Sequence, residues 1–126
     1  MMHLVDTNTI IYLVGGNYPA LTRRVEATAI GDIRMSAIVF AELALGSENG
    51  LAPSIDVLER LIEQMPLMPF DEAAARAYAK MPFRRGRFDR LLAGHALSLG
   101  ATIVTRNLAD FADIPGLRVE DWTRPS

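Results

Sequence analysis

Short apolar runs that alternate with helical patterns constrain this chain more than any other feature. "HLV" (3–5) leads into "TNTIIYLVGG", closed by Gly15 and Gly16. "IRMS" (33–36) leads into "AIVFAELALG", and "LMPF" (67–70) into "EAAARAYAKM", which Asp71 caps. "FDRLLAGHALSLG" stops at Gly100 and leads into "ATIVT" (101–105), a β-branched run bounded by turn signals. "LRVEDW" reads as a last strand. Two further helices complete the pattern. One is "ALTRRVEATAIG", opened by Pro19 and ended by Gly31. The other is "PSIDVLERLIEQM", apolar at Ile55, Leu58, Leu61, Ile62 and Met65. Pro69 makes "LMPF" a brief or edge strand. This alternation predicts an α/β fold, a central, mainly parallel sheet flanked by helices. In such sheets ligands gather at the carboxyl ends of the strands. Asp6 and the segment "RNLAD" both follow strands directly, so they are expected at one rim.

The 126 residues suit a single domain, 1–126, with no repeat, linker or low-complexity tract. Half the residues are apolar and 22% charged, the balance of a soluble globular protein. No apolar run reaches the roughly 18 residues of a membrane span, and "MMHLVDTN" lacks the pattern of a signal peptide. There is no cysteine, which excludes disulfides and thiolate metal sites and fits a reducing cytoplasm. A net charge of −2 means that any nucleic-acid function must rest on a local patch.

Glu42 is the one charged residue in "SAIVFAELALG". Ile38 and Val39 lie one turn before it, Leu45 and Gly46 one turn after, and no cation stands at helical spacing. An isolated buried charge costs several kcal/mol, so a distant arginine, a proton or a metal ion must offset it. Asp6, Asp89 and Asp110 also sit in apolar settings. Singly, each Asp reads as a helix cap; a helix interior such as that around Glu42 needs none. Several carboxylates at one rim would repel strongly without a cation between them. Hard ions with oxygen ligands, Mg²⁺ or Mn²⁺, suit such a cluster. His3 and His95 are not spaced as a zinc pair.

"LVDTNTIIYL", "MSAIVFAELALG", "FDRLLAGHALSLGATIVTRNLADF" and "PGLRVEDW" together resemble, in order and spacing over nearly the whole chain, the PIN-domain ribonucleases, and among them the VapC toxins of bacterial toxin–antitoxin pairs. The resemblance implies a PIN-like three-layer fold and an endoribonuclease that cuts single-stranded regions of RNA (tRNA, rRNA or mRNA) with Mg²⁺ or Mn²⁺. It implies Asp6, Glu42, Asp89 and Asp110 as catalytic, metal-binding acids. In some relatives the fourth acid occupies the position of Asn107 instead, so Asn107 is placed in support, with Thr7 and Asn8 bonding the acids or their waters. Expected products carry 5′-phosphate and 3′-hydroxyl ends. Expected partners are the RNA, a VapB-type antitoxin and a second copy of the chain, with no membrane. The segment "FRRGRFD" is shorter than its counterpart in relatives, so the turn that delivers Asp89 must differ.

RNA approaching an acidic pocket needs cations around it. Arg84, Arg85, Arg87 and Arg90 beside Asp89, and Arg106 on the opposite motif, are the candidates. Arg23 and Arg24 read as solvated or paired elsewhere. His95 reads as a satisfied core histidine, Trp122 as packing, and Tyr12 and Phe40 as core or dimer contacts. Two rivals come from other classes. A phosphoacceptor module would need a lysine after a late strand, whereas the sole lysine, Lys80, lies in a helix. A PIN fold that binds RNA or protein without cutting stays open because of the shortened turn.

Overall fold

The computed structural model describes residues 1–83 and 88–125. Five short strands form one sheet: β1 (His3–Val5), β2 (Ile33–Ser36), β3 (Leu67–Met68), β4 (Thr102–Val104) and β5 (Arg118–Glu120). Their order is β3-β2-β1-β4-β5 and every pairing is parallel. The expected α/β architecture is therefore present, with β3 as the two-residue edge strand that Pro69 implied. The central strands are buried on both faces: Leu4, Val5, Ile103 and Val104 are essentially inaccessible, as parallel strands between helical layers must be.

Among the described residues six helices cover the sheet: α1 (Thr7–Gly15), α2 (Pro19–Glu26), α3 (Ala37–Glu48), α4 (Ile55–Gln64), α5 (Glu72–Ala79) and α6 (Phe88–Leu99). A 3-10 turn, Leu108–Phe111, follows β4. Ile10 of α1, Leu21 of α2, Val39 and Leu43 of α3, Leu58 of α4 and Leu92 of α6 meet the strands in one core. Each such side chain contributes about 1.5–3 kcal/mol on burial. Among the described residues no helix is long and apolar enough to cross a membrane.

Two boundaries differ from the sequence expectation. Helix α2 ends at Glu26, not near Gly31, because the Thr28 hydroxyl takes the Arg24 carbonyl at 2.7 Å and draws the chain into a turn. Helix α3 passes through Gly46 to Glu48, and the turn comes at Gly50, whose φ of 79° suits a residue without Cβ. Helices α5 and α6 pack closely. A Cβ on Gly94 would lie 2.7 Å from the Tyr78 Cβ and 2.8 Å from its backbone, so only glycine permits this approach.

Candidate active site

The register of the sheet builds the site. Val5 pairs with Val104, and Val104 with Glu120. The next residues, Asp6, Thr105 and Asp121, therefore stand side by side at the carboxyl rim. Asp6 caps α1, its Oδ1 accepting the Thr9 N–H at 2.9 Å. Its Oδ2 accepts a hydrogen bond from the Thr105 hydroxyl. Thr105 Oγ1 in turn accepts the Asn107 N–H at 3.0 Å. Asp6 is thus both a cap and a buried, pre-aimed carboxylate, held from both oxygens.

Glu42 comes from the middle of α3 and is half-buried. Its Oε1 accepts the Thr7 hydroxyl at 2.9 Å, from the residue next to Asp6. Burial pushes its pKa above the ordinary 4.5, and the negative charges of Asp89 and Asp6 push the same way, against the Thr7 bond. Asp89 lies in the first turn of α6. The carboxylates of Asp6, just after β1, and of Asp89, in α6, therefore both act on Glu42 in α3, and the charge acting on Glu42 is negative. Among the described residues no three carboxylate or imidazole side chains are drawn into a finished metal cage.

The other expected residues are placed less uniformly. Asp110 is half-buried in the 3-10 turn, where its carbonyl accepts from Arg90 at 3.4 Å. Asn107 and Asn8 are exposed. Asn107 acts on the site through its backbone, by way of Thr105. Arg106 is exposed. It donates to the Tyr18 hydroxyl at 2.6 Å and lies 5.0 Å over that ring and 5.9 Å over the ring of Tyr12. Arg84, Arg85 and Arg87 lie outside the described residues, as does most of the shortened turn before Asp89.

Arg90 corrects the sequence expectation of an RNA contact. It is 2% exposed and grips both oxygens of Asp113, at 2.9 and 3.1 Å, and the Pro82 carbonyl at 2.9 Å. A guanidinium committed in this way ties the start of α6 to the segment after β4 and is closed to a phosphate. His95 is in the core, as expected, but only half satisfied. Its Nδ1 lies 2.8 Å from the Ser36 hydroxyl. Its buried Nε2 makes no hydrogen bond of good geometry among the described residues, although the Pro69 carbonyl is near enough to raise its pKa. Burial outweighs that and the nearby negative charge of Asp71, and lowers it. Ser36 also takes the Ile38 N–H at 3.1 Å, so the pair seats the start of α3, the helix that presents Glu42. Sequence reasoning missed Thr105 as the holder of Asp6. The signal was present: in a parallel sheet, residues that follow two adjacent strands become neighbours.

Asp6 and Glu42, held by threonine hydroxyls and an N–H at the carboxyl side of a parallel sheet and joined by the charge of Asp89, define a class of α/β protein with an acidic site there. The description "PIN domain" matches residues 3–117. The tRNA(fMet)-specific endonuclease VapC of Salmonella typhimurium is 36% identical, over 94% of this chain and 96% of its own. Ribonuclease VapC1 of Haemophilus influenzae is 35% identical, over 98% and 100%. Among solved structures, DNA-bound VapBC from Salmonella typhimurium superposes with a TM-score of 0.85 at 32% identity, covering 97% of this chain and 98% of that one. VapBC-1 from nontypeable Haemophilus influenzae gives 0.81 at 31%, covering 98% and 100%. The chain belongs to the PIN-domain family, and within it to the VapC ribonucleases.

Proposed function

We propose that this chain is the toxin of a VapBC-type toxin–antitoxin pair, a divalent-metal-dependent endoribonuclease that cuts single-stranded regions of RNA. One observation carries the metal-dependent reading: Glu42, from the middle of α3, accepts the hydroxyl of Thr7 beside Asp6, and burial together with the negative charges of Asp89 and Asp6 makes it harder to ionise. The donors are hard oxygens, with no thiol in the chain. That set fits Mg²⁺ or Mn²⁺. Asp6, Glu42 and Asp89 would hold the ion, with Asp110 as the fourth acid. A divalent ion held there supplies a water of lowered pKa and offsets the charge that builds on the phosphate.

The chain's own residues prepare that site. Thr9 N–H and Thr105 fix the plane of the Asp6 carboxylate, and Thr7 aims Glu42 from the neighbouring position. These outer bonds keep the acids in place before anything binds. Arg106, stacked on two tyrosines beside Asp6, holds an RNA phosphate near the rim. Arg84, Arg85 and Arg87 flank Asp89 in sequence and serve the same end. The exposed apolar side chains Ile11, Val14 and Leu45, on the touching helices α1 and α3, offer a surface for the antitoxin or a second copy. The pair works in the cytoplasm, where RNA and antitoxin meet.

The product ends test this reading. Purified chain, freed of antitoxin and given RNA with Mn²⁺, is expected to leave 5′-phosphate and 3′-hydroxyl ends. Cyclic 2′,3′-phosphate ends would mean attack by the RNA's own hydroxyl and would contradict it.

A further inference from the structure

We infer that a cavity on the outer flank of α2, lined by Arg23, Arg24 and Arg124, binds a phosphodiester of the RNA away from the cut, without reading its base. The inference rests on the ribonuclease reading above. The cavity holds about 370 Å³ between α2 and the segment after β5. Ala20, Arg23, Arg24 and Ala27 line it from α2, at positions that share one helix face. The two alanines leave room and the two arginines supply charge. Arg124 closes the opposite side.

The arginines are partly balanced, not neutralised. Arg24 lies 3.5 Å from Glu120 and Arg124 3.3 Å from Asp121. Arg23 has no ion pair among the described residues. All three are exposed, so the existing pairs hold them weakly and can reorganise around an incoming anion. Trp122 lies beneath the Arg24 guanidinium at 4.7 Å from its ring centroid, and its indole N–H donates to Glu120 at 2.8 Å. It is 2% exposed. Its ring therefore anchors a cation and has no open face for a base. The site recognises charge and geometry, which every nucleotide shares.

Continuity with the rim favours RNA over an acidic peptide. Asp121 stands beside Thr105 in the sheet register, two strand spacings from Asp6, about 10 Å. The fields of both Arg106 and Arg124 reach Asp121. Tyr18, which binds Arg106, is the cap residue of α2. From there the helix runs about 1.5 Å per residue to Arg23 and Arg24. A strand leaving the acids thus passes Arg106 and then the cavity, with cations along the way.

The test uses the full chain and two probes. The first is a labelled oligouridylate, bound to the inactive Asp6→Asn form with and without Arg23→Gln and Arg124→Gln. The second is the RNA that the wild type cuts. Each arginine withdrawn from a phosphate lowers the salt dependence of log affinity by about 0.7. Arg23→Gln alone is expected to show one such step and the double variant about two. For cleavage, KM rises and kcat at saturating RNA is unchanged. Unchanged slope and KM in variants whose wild type cuts RNA would overturn the cavity alone. Unchanged slope with faster loss of antitoxin would overturn it in favour of an acidic peptide. A wild type that cuts no RNA would sink the ribonuclease reading itself.

Discussion

At the scale of single residues, two threonines do what the acids cannot do for themselves. A carboxylate at a rim rotates unless its oxygens are engaged. Thr105 and the Thr9 N–H engage Asp6, and Thr7 engages Glu42. Replacing such a hydroxyl by a methyl keeps the shape and frees the acid. Thr7→Val and Thr105→Val are each expected to lower RNA cleavage by about 10–100-fold, with Thr→Ser restoring most of it in the same assay. Arg90 belongs to a different kind of residue. Its guanidinium is buried and Asp113 is mostly so. Asp113→Ala leaves a buried cation without its main partner and is expected to destabilise by about 3–5 kcal/mol in urea unfolding. Sequence marked Asp6, Glu42 and Asp89 because carboxylates in apolar surroundings are costly and therefore conspicuous. Thr105 was not conspicuous. A threonine is at home in a β-branched run, and only the register shows that its hydroxyl faces an acid. Arg90 was misread because a cation in a basic segment looks solvated until its burial is known.

At the scale of elements, the close pair α5 and α6 delivers Asp89. Gly94 lets Tyr78 come against the α6 backbone. Gly94→Ala forces the two helices apart and is expected to cost about 1–3 kcal/mol in unfolding free energy. It also moves Asp89, so cleavage falls although Gly94 is not at the rim; intact activity would show that the hairpin's spacing is not what places that acid. The helices and strands were legible almost throughout, since apolar period and terminal glycines coincide with the observed elements. The two shifted boundaries, at α2 and α3, depend on a threonine side chain and on a glycine held inside a helix. Local competition of this kind leaves no periodic trace.

At the scale of the whole molecule, the same core that seats the acids also buries His95 and half-buries His3. Burial lowers the pKa of His95 and of His3 below the ordinary 6.5. Between the folded values and 6.5 the unfolded chain binds more protons than the folded one. Stability is therefore full above that window and lost as pH falls through it. The urea midpoint is expected to fall as pH is lowered through 6.5 and below, and to fall less in His95→Gln; a flat profile would contradict the burial argument. The topology followed from strand–helix alternation, and the place of Asp6 from its carboxyl rim. Whether Asp110 joins them was not legible, because a 3-10 turn lets a side chain face either the rim or the solvent. The most direct test of the central claim is the rate of RNA cleavage in Mg²⁺ or Mn²⁺, wild type against folded Glu42→Gln and Asp6→Asn. Converging acids around a shared cation predict chelator-sensitive cleavage that falls by about 100-fold or more in both variants. Equal rates in all three, or cleavage that survives the chelator, would contradict it.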